Sequence, residues 1–199
     1  MSKKFLYYDL ETTGLTKEHG IVEIGGLIDI DGEIIETFNF KVKPFEDDLI
    51  DEKALEVTNL TREEIETFED PLVVKDKLLE IFDKYINKFK KSDKFITFGF
   101  NNRVFDFPML INWFNKCDEK YLGSYISYKQ KFDTLAFLEN MRIMKLLPHS
   151  TNTKLGEVCE EYGVDLKNAH SALDDIIATR ELTYKLARLV KKNLKGDVF

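Results

Sequence analysis

A mixed α/β fold, one sheet with helices against its faces, is predicted by three features of the sequence. Residues 4–10 (KFLYYDL) are apolar on both faces, as in a strand at the centre of a sheet. Residues 21–44 alternate apolar and polar positions around an Asp31-Gly32 pair, the pattern of a β-hairpin. Beyond residue 71, short apolar runs alternate with stretches of helical periodicity, which sets helices between strands.

Each element follows from local signals. Leu55 to Phe68 is short and acidic and reads as broken helix. Over 71–89, Leu72, Leu78, Leu79, Phe82, Tyr85, Ile86 and Phe89 fall close to one helical face, and Pro71 suits a first turn. KFITFGF (94–100) is another strand, interrupted by Thr97 and Gly99. FPMLINWFNKC (107–117) reads as a helix, and FDTLAFLENMR (132–142) as a strand end running into a helix. KLGEVCEEYGV (154–164) is a short helix ended near Gly163, and the last helix runs from about Ser171 to Lys195. The pattern gives four or five strands. With no internal repeat, low-complexity tract or linker, the expectation is one domain over residues 1–199.

Composition narrows the class. A chain of 199 residues suits one core of ordinary size. With 43% hydrophobic and 33% charged residues it is neither disordered nor membrane-embedded. No apolar run approaches the roughly 20 residues of a membrane span, and MSKKFLYYDLE lacks a signal-peptide layout. Cys117 and Cys159 are too few for a disulfide scaffold and read as reduced thiols in the core of a cytoplasmic or otherwise intracellular protein. The net charge of −7 argues against adhesion to nucleic acid by charge alone. However, residues 46–70 hold eleven acids and two bases, which leaves the rest of the chain at +2. Bases gather at Lys88, Lys90, Lys91 and Lys94, and at Lys185, Arg188, Lys191, Lys192 and Lys195; solvated helix faces account for these as well as a nucleic-acid contact does.

The chemistry-bearing residues are acids. In a strand, residues i and i+2 share a face, so Asp9 and Glu11 lie side by side. Two like charges about 4 Å apart repel by roughly 4 kcal/mol at an effective dielectric near 20. A shared proton, a basic side chain or a metal would offset this; a turn role is the alternative, since Thr12-Thr13-Gly14 follows. Asp106 comes after the 94–100 strand and two residues before Pro108, hence at the start of a helix. There it is either a helix cap, worth about 1 kcal/mol, or an acid facing a site. His170 and Asp175 are five apart, about 140° around a helix, so His170 belongs to the loop before the last helix. Ser171 and Asp174 form a near-capping box, which leaves Asp175 to aim at the sheet.

Taken in order, DLETTGL (9–15), NNRVFD (101–106) and HSALDD (170–175) resemble the DnaQ-like 3′–5′ exonucleases of the RNase H-like superfamily, and the His of the third motif resembles their DEDDh branch. IVEIGGL (21–27), VTNLTREEI (57–65) and KLGEVCEEYGV agree, so the resemblance spans residues 5 to about 187. Asn101-Asn102 stands where polymerase III epsilon-like members have His-Asn, and GFNNRVFDFPML looks more like the exonuclease domains of family B DNA polymerases. Asn59 stands where many relatives have Gly.

The resemblance implies an RNase H-like fold, a mixed five-stranded sheet flanked by helices. It implies a metal-dependent 3′–5′ exonuclease that removes nucleoside monophosphates from the 3′ end of DNA, preferably single-stranded. Four carboxylates, Asp9, Glu11, Asp106 and Asp175, would be neutralised by two divalent cations, Mg²⁺ with Mn²⁺ able to substitute. Asp9 would bridge both ions, Glu11 and Asp175 would hold one, and Asp106 would act through water. His170 would be the general base. The backbone N–H of Thr12 and the side chain of Leu15 are expected at the 3′ nucleotide. Phe105 either stacks on a base or packs in the core, and Asn101 and Asn102 either contact phosphate or shape the turn.

Competing readings are an exoribonuclease akin to oligoribonucleases, and a non-catalytic nucleic-acid or polymerase-binding module. The presence of Asp9, Glu11, Asp106, His170 and Asp175 together opposes the module. A D-x-D phosphatase is opposed by Glu11. Because the chain stops just past the last helix, a stand-alone enzyme is expected, with a polymerase partner not implied.

Overall fold

The computed structural model describes residues 2–167 and 171–196. Its sheet has five strands, β1 (Lys4–Thr12), β2 (Ile21–Ile30), β3 (Glu33–Lys41), β4 (Phe95–Gly99) and β5 (Ile126–Asp133), in the order β3-β2-β1-β4-β5. The first three form an antiparallel meander, and β4 and β5 run parallel to β1. The β2–β3 turn is the expected Asp31-Gly32 pair, with φ of 54° and 95°. Two successive left-handed residues match the twist of a hairpin.

Strand periodicity sorts the side chains of β1. Leu6, Tyr8 and Leu10 enter the larger core, where α3 (Pro71–Tyr85) and α4 (Asp106–Lys116) pack. Tyr7 points to the opposite face and meets Leu27, Phe98 and Ile176 of α7 (Ala172–Gly196). A third cluster joins α7 to α5 (Thr134–Ile143) and α6 (Leu155–Tyr162). The mixed five-stranded sheet flanked by helices is therefore the expected fold.

The acidic stretch forms two short helices, α1 (Glu52–Thr58) and α2 (Arg62–Glu66). Asn59 ends α1 at φ 54°, a left-handed cap that Asn tolerates. Thr61 and Glu64 form a capping box on α2. Two boundaries differ from those that the sequence predicts. Helix α3 stops at Tyr85 instead of running to 89, because the Lys4 ammonium bonds the Tyr85 carbonyl at 2.6 Å and Ile86 turns extended. Lys4 also pairs with Asp93 at 2.6 Å, tying the loop after α3 to β1. The fifth strand begins at Ile126, six residues before the predicted strand end, since pairing with β4 rather than local periodicity defines it. Both cysteines are buried thiols, and no helix among the described residues is long and apolar enough to cross a membrane.

Candidate active site

The acids of β1 lie where that strand passes under the start of α7. Asp9 and Glu11 alternate with Leu10, so they share the face of Tyr7, on which α7 packs. Asp175 sits in the first turn of α7, next to Ile176 in the same cluster. Carboxylate oxygens of Asp9, Glu11 and Asp175 lie within 4.8 Å of one another. Asp106 is the first residue of α4 and is not its cap. Asp106 is only 5% exposed, yet with Asp9 and Asp175 it lines one cleft of about 700 Å³.

Electrostatics in the cleft favour protons or cations. Burial, followed by the charges of Asp106, Glu11, Asp175 and Glu23, lifts Asp9 well above the usual carboxylate range. Burial, with Asp175, Glu23 and Asp106, pushes Glu11 up to about 8. Burial also raises Asp106 to about 7, against the pull of its own and Leu10's backbone N–H groups. Such a set of hard, half-buried oxygens fits divalent cations of the Mg²⁺ or Mn²⁺ type, whose charge would offset the repulsion.

The other residues singled out from sequence are distributed unevenly. Leu15 is 84% exposed and lines the cleft, as do Asn101 and Phe105. Phe105 also packs against the larger core. Asn102 is fully buried and does not line the cleft; its carbonyl accepts from Phe107 N–H at 2.8 Å and its side chain lies against Gly99. Its place is that of a turn-former beneath the loop. Thr12 is 8% exposed, with its hydroxyl donating to the Gly14 carbonyl at 2.8 Å, where the β1–β2 register slips. His170 lies outside the described residues.

Two supporting acids are not evident from sequence. Glu23 of β2 pairs with Glu11 across the strands, is 8% exposed, and accepts from the Ala172 N–H at 3.2 Å. It thereby holds the start of α7. Beside it, a Cβ at Gly25 would sit 2.5 Å from the Ala172 carbonyl carbon and 2.6 Å from the Leu173 nitrogen, so the helix rests on bare backbone. An acid inside the otherwise apolar run IVEIGGL is the available signal. Asp133 ends β5, caps α5 through Ala136 N–H, and accepts from the backbone N–H groups of Asn101 and Arg103 at 3.1 and 3.2 Å. It fixes the 101–105 loop; a strand-to-helix Asp-Thr step is its only trace in sequence.

Comparison with known proteins bears on the fold and the family. The chain is 26% identical over 190 residues to a PolC-type DNA polymerase III of Thermotoga petrophila, covering 94% of this chain and 12% of that protein. It is 28% identical over 200 residues to the chloroplastic/mitochondrial exonuclease DPD1 of Arabidopsis thaliana, covering 96% of this chain and 58% of that one. Among solved structures, Escherichia coli exonuclease I in complex with a dT13 oligonucleotide shares the fold with a TM-score of 0.78 at 21% identity, over 98% of this chain and 43% of that one. A zinc-bound form of the same enzyme with single-stranded DNA gives 0.80 at 20% identity, over 98% and 42%. The exonuclease family model RNase_T matches residues 6–183, a span that includes Asp9, Glu11, Asp106 and Asp175. The chain therefore belongs to the RNase_T exonuclease family, of the DnaQ-like, RNase H-like class.

Proposed function

We propose that residues 1–199 form one exonuclease domain that removes nucleoside monophosphates from the 3′ end of DNA, with single strands preferred. The convergence of Asp9, Glu11 and Asp175 within 4.8 Å, in a cleft that also holds Asp106, carries this reading. Bound among these carboxylates, two Mg²⁺ ions would stabilise the entering and leaving oxygens of an in-line displacement. Asp9, Glu11 and Asp175 supply the ligand oxygens, with Asp106 serving through water. His170 takes the proton of the attacking water as its oxygen bonds to phosphorus and the bond to the 3′ oxygen breaks. Leu15 and Phe105 flank the terminal base, the Thr12 N–H holds the polar 3′ end of that nucleotide, Asn101 contacts the phosphate, and Asn102 shapes the loop that presents Asn101.

The choice of DNA draws on exonuclease I, whose solved structures include complexes with DNA oligonucleotides. The PolC-type relatives favour a second setting, proofreading beside a polymerase. Digestion of end-labelled DNA and RNA, single- and double-stranded, with Mg²⁺, Mn²⁺ or chelator tests the proposal. Shortening from the 3′ end of DNA that stops in chelator is expected. Shortening from the 5′ end, or RNA degraded faster than DNA, refutes the assignment. If added DNA polymerase raises the rate on a mismatched primer terminus, the proofreading setting is supported.

A further inference from the structure

A polyanion approaching a chain of net charge −7 needs a place where that charge is reversed. The surface beside the cleft, on the outer edge of the sheet, meets this need. Residues 121–132 (YLGSYISYKQKF) contain two lysines and no acid. Strand β5 is the last of the sheet, and its register with β4 jumps from Phe95↔Ile126 to Thr97↔Lys131. The jump pushes residues 127–130 outwards. Tyr128 is 48% exposed; its ring meets that of Phe107 edge-on at 5.8 Å and passes over Gly123. The Lys131 ammonium sits 3.8 Å from the centre of the Phe107 ring. Phe107 is the residue after Asp106, so this cation and this aromatic ring stand next to the candidate site.

The patch joins the cleft through the 101–105 loop. Asn101 and Phe105 line the cleft, while Arg103 and Val104 between them are exposed, Val104 by 75%. Asp133, the nearest acid along β5, is 7% exposed and turned inward onto backbone N–H groups. The charge of Glu119 reaches Tyr128. A row of cations interleaved with an exposed aromatic ring and an exposed aliphatic side chain is the chemistry of a single-strand platform: cations meet phosphates and flat or apolar groups meet bases.

We propose that Arg103, Val104, Tyr128, Lys129 and Lys131 carry the single strand upstream of its 3′ end as it enters the cleft. The proposal rests on the nuclease function proposed for the cleft. It commits to nucleic acid rather than protein because the patch reverses the sign of the chain's charge and is continuous with the cleft.

The test uses the full chain, a p-nitrophenyl ester of thymidine 5′-monophosphate, too short to reach the patch, and a long oligothymidylate. Hydrolysis of both is followed over a salt series, and binding of the oligomer is followed by fluorescence anisotropy in chelator. For R103E/K129E, two exposed positions outside the core, the oligomer's logarithmic salt slope should shrink by about 1.4, at about 0.7 for each phosphate no longer neutralised. Tyr128→Ala should weaken oligomer binding by about tenfold through loss of one stacked base. In both, the preference for oligomer over ester should collapse. Unchanged salt slope and preference in R103E/K129E, with hydrolysis intact, overturn the strand path. A slope that shrinks as expected in a protein hydrolysing neither substrate overturns the nuclease function and upholds the path. Capture of an acidic protein in place of the oligomer at this patch also overturns it.

Discussion

Replacing Asp9 by Asn should make the protein more stable and inactive at once. Oxygens of Asp9, Glu11 and Asp175 lie within 4.8 Å, so each charged pair repels by about 3.5 kcal/mol at an effective dielectric of 20 and by about 1 kcal/mol in water. The cleft is open, which puts the gain from removing one charge at about 1–3 kcal/mol when no cation is present. For a chain of this length each kcal/mol moves Tm by about 2–4 °C. Thermal unfolding in chelator at a pH of about 9, above the value of about 8 held by Glu11, should give a higher Tm for Asp9→Asn than for wild type. Saturating Mg²⁺ should reverse the order, since at a hundredfold excess over Kd it adds about 2.7 kcal/mol to the form that binds it. Nuclease activity on labelled single-stranded DNA should be lost. A lower Tm for Asp9→Asn in chelator, or no effect of Mg²⁺ on wild type, would refute the idea that carboxylate repulsion is stored in this cleft.

Stability in chelator should fall as pH rises through the range between the ordinary carboxylate value and about 8. Glu11 and Asp106 are held at about 8 and about 7 in the folded protein, so the folded state binds more protons than the unfolded one there, and denaturant titrations should show the decline vanish with Mg²⁺. His170→Ala should slow hydrolysis by about 10²–10⁴-fold while leaving Mg²⁺-induced stabilisation intact; a loss of that stabilisation as large as in Asp175→Ala would contradict a general-base role. Glu23→Ala should cost about 1–3 kcal/mol by orphaning the Ala172 N–H, whereas Glu23→Gln, which keeps an acceptor, should cost less and raise activity back towards wild type; equal losses in both would show that the charge and not the hydrogen bond matters.

What the sequence displayed was whatever is periodic or local. The alternation of β1 set Asp9 and Glu11 on one face, the Asp31-Gly32 pair placed the hairpin, and Ser171 with Asp174 marked the start of α7. Contacts between distant segments were not legible. That Asp133 fixes the 101–105 loop, that Lys4 ends α3 at Tyr85, and that Glu23 holds Ala172 depend on sheet register and helix placement. Neither propensity nor spacing encodes those. Asn102 shows the same limit: one position separates it from Asn101, yet one side chain lines the cleft and the other is sealed beneath it, because Asn101 takes a left-handed φ of 59° and turns the chain. The bulge at 127–130 was invisible for the same reason, being a mismatch between two strands rather than a property of either.

At Gly25 no layer of side chains cushions the meeting of strand and helix, so α7 comes to a hard stop instead of a compressible one. Conservative swaps deeper along α7, such as Leu186→Val, can loosen its far packing without letting its first turn drift. The geometry around Asp175 is thus insulated from ordinary variation in the core, and a single methyl group at position 25 would shift the helix more than a cavity lower down.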